Sequence, residues 1–163
     1  MEILKGLAEQ VAIQYMKKTA ETAGNATCLR DKCGSIIVKE NKIIGIGFNS
    51  PPYNLESQRR CNNNKSEYDE KVKDKTCCIH AEQRAVMDAL IYNKDLLVNS
   101  ALYFTRIDAT GNIIISGEPY CTICSKITLD SGIKEFVLWQ DKRIVVYNTE
   151  EYNDLSFKYK KHD

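Results

Sequence analysis

Three residues, Gln140, Asp141 and Lys142, are all that separate the run EFVLW (135–139) from RIVVY (143–147). A crossover between parallel strands needs about a dozen residues or more, so these two strands are expected to be antiparallel neighbours. SIIVK (35–39) and KIIGIGFN (42–49), split only by Glu40 and Asn41, read as a β-hairpin. ALYFTRI (101–107) is a further strand, and IIIS (113–116) its return across a Thr-Gly-Asn turn. Helical patterns lie between and around these strands. Over residues 2–22, Leu4, Leu7, Ala8, Val11 and Tyr15 share one helix face, and Gly24 and Asn25 end it. In HAEQRAVMDALI (80–91) the core face is Ala81, Ala85, Val86, Ala89 and Leu90. Another helix begins near Pro119 and stops at Gly132. Thr149, with Glu150 and Glu151, caps a short helix, although Leu155, Phe157 and Tyr159 alternate with polar residues and offer an edge strand instead. Strands alternating with helices predict an α/β fold, a three-layer α/β/α domain over residues 1–163. Its central mixed sheet has about five strands, the last two an antiparallel hairpin, with a basic tail at 156–163.

A chain of 163 residues with 43% hydrophobic content can build one continuous core. Lys and Arg total 23 against 22 Asp and Glu, so no broad positive field draws in a long polyanion, which weighs against nucleic acid as partner. No run approaches the roughly 18–20 apolar residues of a membrane span, and the N-terminus lacks the order of a signal peptide. A cytoplasmic protein with no membrane partner is expected. Seven cysteines there argue for metal binding or catalysis rather than disulfides. Residues 51–76 are polar and without periodicity, a long loop of the kind that serves as a lid or binding loop.

His80 and Glu82 stand at the start of one predicted helix, Cys121 and Cys124 in the first turn of another. Two cysteines three apart present their sulfurs on one helix face, and the helix N-terminus favours their thiolates. One imidazole and two thiolates suit Zn2+, and three protein ligands leave a fourth position open for water, as a catalytic site requires. Zinc lowers the pKa of that water to roughly 7. Glu82, two residues from His80, is placed to shuttle protons.

HAE (80–82) with EPYCTIC (118–124) resembles the cytidine and deoxycytidylate deaminase superfamily, whose zinc enzymes carry H-x-E and P-C-x-x-C signatures. RDKCGSIIVKENKIIGIGFNSPP (30–52) resembles the strand pair that precedes the site in deoxycytidylate deaminases, and SGIKEFVLW (131–139) their strand after the cysteine helix. The resemblance implies the cytidine deaminase-like fold and hydrolytic deamination of a cytosine nucleotide or nucleoside, foremost dCMP to dUMP and ammonia. It implies a catalytic zinc on His80, Cys121 and Cys124, a sugar contact from Asn49, and a homo-oligomer. It also implies that Cys28, Cys33, Cys61 and either Cys77 or Cys78 form a second zinc site, the alternative being idle thiols. Three features depart from the family pattern: Tyr120 separates Pro119 from Cys121, residues 106–117 look inserted, and the 140–142 link is shorter than in deoxycytidylate deaminases.

Arg59 and Arg60, on the polar loop, are candidates to grip a 5′-phosphate. Tyr120 is a candidate to stack on the base, as are Phe48 and Tyr103, although aromatics on strands usually belong to the core. His162 reads as solvated. Alternatives are a tRNA adenosine deaminase, a guanine or other free-base deaminase, and a non-catalytic zinc-binding interaction module closed by Cys77 or Cys78.

Overall fold

Glu40 and Asn41 both adopt left-handed backbone, with φ of 50° and 61°, the sign a two-residue hairpin turn requires at both positions. They join β2 (Lys32–Lys39) to β3 (Lys42–Phe48), which pair antiparallel from Gly34 opposite Phe48 to Lys39 opposite Lys42. The computed structural model describes residues 1–160. Its remaining elements are β1 (Glu2–Ile3), α1 (Gly6–Ala23), α2 (Ala81–Tyr92), β4 (Ala101–Ile107), β5 (Ile113–Ile114), α3 (Thr122–Asp130), β6 (Glu135–Gln140), β7 (Arg143–Asn148) and α4 (Thr149–Lys158).

Among the described residues these strands form one mixed sheet of seven, ordered β1-β7-β6-β4-β2-β3 with β5 appended to β4. The architecture is the α/β sandwich expected from the sequence, with two more strands than the five read there. The additions are two-residue strands: β1 pairs with β7, and β5 returns along β4. β6 and β7 are antiparallel, as the three-residue link demands, and β4 and β6 are parallel, joined by a crossover through α3.

Alternation along the strands divides the core. Ile36, Val38, Tyr103, Val137 and Ile144 face α1, while Ile37, Leu102, Phe104, Phe136, Leu138 and Val145 face the layer containing Ala85 of α2 and Tyr152 of α4. Tyr103 lies 5.2 Å from Tyr15, ring to ring, so it belongs to the core. α1 buries Ala12, Met16, Thr19, Thr22 and Ala23, a stripe displaced from the predicted face; Leu7 is 76% exposed. Close approach sets its C-terminal end. A Cβ on Gly34 of β2 would lie 2.2 Å from the Thr19 carbonyl, so the last turns of α1 lie against the strand backbone, with Thr19 and Ala23 buried there.

The same logic docks α2 on β3. A Cβ on Gly45 would stand 2.4 Å from the Ala85 carbonyl, and one on Gly47 2.0 Å from that of Ala81. Ala81, Ala85 and Ala89 form the matching helical stripe and are fully buried, whereas Leu90, assigned to this face from sequence, is exposed. Asp88 accepts from the Ile46 N–H at 2.9 Å, and Asn93 donates to the Ile44 carbonyl at 2.8 Å, tying the far end of α2 to the edge strand.

Two boundaries differ from expectation. Pro119 precedes rather than begins α3, whose N-cap is Cys121, and Gly132, with φ 79°, follows it as predicted. Residues 149–158 are helical, capped by Asn148, which accepts from the Glu150 N–H at 3.0 Å. This replaces both the edge strand through Leu155 and Phe157 and the start of a tail at 156, because Tyr152 and Ser156 are buried one turn apart. Residues 161–163 of that tail, His162 among them, lie outside the described residues. Among the described residues no helix is long and apolar enough to cross a membrane.

Gly47→Ala forces α2 off β3. The expected result is a loss of about 2–3 kcal/mol in unfolding free energy by urea titration, typical of overpacking a site that cannot yield.

Candidate functional site

α2 starts where the backbone leaves an extended conformation at His80, with φ −70° and ψ 151°. The His80 N–H donates to the Gln83 side chain at 3.0 Å, half of a capping box. α3 starts at Cys121, whose sulfur accepts from the Cys124 N–H at 3.4 Å. The two helices pack side by side on one face of the sheet, bringing their N-termini together. His80 Nδ1 lies 3.2 Å from Cys124 Sγ and 3.4 Å from Cys121 Sγ, and the sulfurs are 3.2 Å apart. Tetrahedral zinc with Zn–N near 2.1 Å and Zn–S near 2.3 Å would set these edges at about 3.6–3.8 Å, so the donor set fits after widening by a few tenths of an ångström. Hydrogen bonding from Cys124, and then from His80, outweighs burial and holds the Cys121 thiol down at about 4. The bond to Cys121 raises His80 to about 9. Three polarisable donors gathered around one negative charge suit a divalent cation that replaces their protons.

Glu82 is buried beside this group. Burial first, and the Cys121 charge second, push its carboxyl up to about 7, the range in which a carboxyl both takes and gives protons near neutrality.

His80, Glu82 and Cys121 line a cavity of about 350 Å³ shared with Asn49, Phe104 and Tyr120. Its exposed end carries Arg30, Arg60, Lys65 and, half-buried, Lys75, with Asp31 between them and the strands. None of these four cations forms a salt bridge with a carboxylate among the described residues. Arg30 Nε donates to the Cys61 carbonyl at 3.1 Å, and Lys75 to the Tyr68 carbonyl at 3.0 Å. The loop that supplies three of them leaves the fold at Ser50 and rejoins it at Ile79, where the Ile79 N–H donates to the Ser50 carbonyl at 2.9 Å.

The residues singled out in the sequence are distributed unevenly. Asn49 lines the cavity, but it also accepts from the Cys33 N–H and donates to the Asp31 carbonyl, each at 2.8 Å. One lone pair and one N–H remain for a ligand. Arg60 lines the cavity and Arg59 does not: Arg59 donates to Glu56 at 2.6 Å and to the Thr27 carbonyl at 2.8 Å. Phe104, not Phe48 or Tyr103, is the strand aromatic at the cavity. Arg30, Lys65 and Lys75 were not anticipated; the basic composition of the loop was visible, but not which of its cations turn inward.

The sulfurs of Cys28, Cys61 and Cys78 lie within 4.8 Å of one another, with Cys61 and Cys78 4.0 Å apart. Cys33 stands apart from them, half-buried within reach of the Glu82 and Asp31 charges, and desolvation foremost raises its thiol. Of the adjacent pair, Cys78 joins the group and Cys77 accepts from the Arg60 N–H at 2.8 Å. Alternation in an extended run points neighbours to opposite sides, so only one of the two can face Cys28. Burial opposes ionisation of Cys61, but hydrogen bonds from the Leu29 backbone, Cys77, Arg59 and Cys78 bring its thiol down to about 7.

Comparison with known proteins gives a consistent picture. Residues 9–140 match the family model described as the cytidine and deoxycytidylate deaminase zinc-binding region. Over 136 residues the chain is 27% identical to the deoxycytidylate deaminase of Saccharomyces cerevisiae, covering 80% of this chain and 38% of that protein. It is 28% identical over 121 residues to that of Mycobacterium phage D29, covering 71% and 83%. It thus spans little more than a third of the length of its relative from S. cerevisiae, and 35% of one from Schizosaccharomyces pombe. The fold is similar to that of the dCMP deaminase of cyanophage S-TIM5 crystallised with dCMP and dUMP, with a TM-score of 0.57, 22% identity and coverage of 80% and 82%. With the fold, the His80, Cys121 and Cys124 group and the family match in agreement, the chain belongs to the cytidine and deoxycytidylate deaminase zinc-binding family.

Proposed function

We propose that this protein is a zinc-dependent hydrolase that deaminates a cytosine nucleotide, converting dCMP and water to dUMP and ammonia. The observation that carries this reading is one cavity with a buried carboxyl beside a His-Cys-Cys group at one end and four cations without carboxylate partners at the other. The first end suits ring chemistry and the second a phosphate. The relatives named as deoxycytidylate deaminases support the choice of base and sugar.

His80, Cys121 and Cys124 would hold the zinc. Bound there, zinc lowers the pKa of a water molecule toward about 7 and makes it a nucleophile at neutral pH. Glu82 would take one proton from the attacking water and pass it to the ring nitrogen as the C–O bond forms, then carry the second proton, from the new hydroxyl, to the amine as the C–N bond breaks and ammonia leaves. Its raised pKa supports both directions of transfer, and its burial keeps bulk water from competing for the proton. Tyr120 and Phe104 flank the base, Asn49 offers its spare amide capacity to the sugar, and Arg60, Arg30, Lys65 and Lys75 receive the phosphate.

The reading is tested with a panel of dCMP, CMP, deoxycytidine, cytidine, cytosine, guanine and a tRNA anticodon stem, scored for ammonia. dCMP should react best; conversion of the tRNA alone would sink the proposal. Glu82→Gln should keep its zinc and lose activity by about 10²–10⁴-fold. Arg60→Ala and Lys75→Ala should each raise KM for dCMP by about tenfold, as expected for a charge-assisted contact, and should affect deoxycytidine less.

We infer that Cys28, Cys61 and Cys78 hold a second, structural zinc, with Cys77 as the nearest further thiol. The Cys61 thiol near 7 supports ready deprotonation. Elemental analysis should give about two zinc ions per chain, and Cys61→Ser with Cys78→Ser about one. Loss of the site should raise KM for dCMP, because Arg30 donates to the Cys61 carbonyl and the Arg60 N–H to Cys77, the neighbour of Cys78.

We also expect a homo-oligomer in the cytoplasm. Exposed Ile46 on the edge strand and Met87, Leu90 and Ile91 on α2 supply an apolar surface of the kind that assemblies bury. Light scattering should give a mass of at least a dimer.

A further inference from the structure

Tyr120 has no counterpart in the usual Pro-Cys junction of the signature, and it stands between a buried proline and the first candidate cysteine ligand. Its ring lines the cavity, yet the residue is 46% exposed, so the pocket wall alone does not fix its orientation. Among the described residues the ring pairs with one other aromatic ring. The Tyr159 ring lies 5.7 Å away, tilted by 50°, a distance and angle typical of attractive aromatic pairs.

Tyr159 is held from behind. It directly follows α4, where the backbone turns extended with φ −56° and ψ 126°, and α4 itself is anchored by the buried Tyr152. The Tyr152 ring stacks on Phe136 at 3.8 Å and meets Tyr147 edge-on at 5.9 Å. Ser125, in the helix that carries both candidate cysteines, donates to Asn153 at 2.8 Å. The middle of α4 is thus tied to the helix at whose start the candidate cysteines stand, and Tyr159 follows two turns later.

We propose that Tyr159 is a positioning residue that braces the Tyr120 ring against the bound nucleotide, making the end of α4 part of the pocket wall. The proposal rests on the deaminase reading only in assigning Tyr120 to the substrate.

The test is steady-state kinetics on the panel compound that the wild type converts best. Tyr159→Ala should raise KM by about 3- to 10-fold with kcat within about twofold, and Tyr159→Phe, which keeps the ring, should restore the wild-type KM. In a Tyr120→Ala background, Tyr159→Ala should add nothing, since the two rings act through one contact. An unchanged KM in Tyr159→Ala, failure of Tyr159→Phe to restore it, or multiplying effects in the double variant would overturn the proposal. Tyr159→Leu carries the same expectation if the alanine variant does not fold. A wild type that converts no compound defeats the deaminase reading separately. The contact is then judged by the NMR signals of 13C-labelled Tyr120: a shift in Tyr159→Ala upholds the brace, and unmoved signals overturn it.

Discussion

The contact between two glycines of an edge strand and three alanines of a helix sets the geometry on which the candidate site depends. Gly45 and Gly47 point toward α2, and Ala81, Ala85 and Ala89 point back, leaving backbone against backbone. No other side chains permit that separation. Polar ties from Asp88 and Asn93 fix the far end of the same helix. The start of α2 therefore cannot slide or roll, and His80 and Glu82 occupy one height above the sheet. Van der Waals contact at this density transmits small displacements without damping, so the register of β3 is also the register of the chemistry.

The second constraint is electrostatic. Two helix N-termini converge on one spot, and each brings partial positive charge. Such a meeting is unfavourable unless anions lie between them, and Cys121 supplies one. Glu82, on the first turn of α2, responds in the opposite sense, because burial and the neighbouring sulfur charge discourage its ionisation. The same few ångströms thus stabilise a thiolate and hold a carboxyl near neutrality, a division of roles that arises when neighbouring groups differ in solvation and partners.

Much of this was legible in the sequence. The hairpins follow from link lengths too short for any alternative, and the His-x-Glu and Cys-x-x-Cys spacings locate the chemistry because ligand geometry permits few arrangements. What escaped has physical reasons. The end of α1 packs through Thr19 and Ala23 on the bare backbone of Gly34, a tertiary contact that the periodicity of Leu7 and Val11 does not display. Leu155 and Phe157 alternate like a strand, but the burial of Tyr152 and Ser156 selects the helix. Cys77 and Cys78 differ in nothing the sequence displays; which of them joins Cys28 and Cys61 is set by the side of the extended segment each occupies. The inward-turning cations are hidden for a related reason. A polar loop carries no period, so the direction of each side chain depends on contacts made only after the loop has closed.

That closure has a wider meaning. The excursion from Ser50 to Ile79 begins and ends on a single pair of bridged residues, so its two ends are fixed by the frame, and its interior is held to the frame through Arg59 and Cys61 beside Thr27 and Cys28. Lengthening a loop whose ends already meet changes closure entropy only slowly. The sheet and helices form a socket into which segments of different length and composition can be fitted, leaving the reaction centre unaltered. Exchange of that segment is a route by which one scaffold can diversify what its cavity admits, since Arg60, Lys65 and Lys75 travel with the loop while His80, Cys121 and Cys124 stay with the helices.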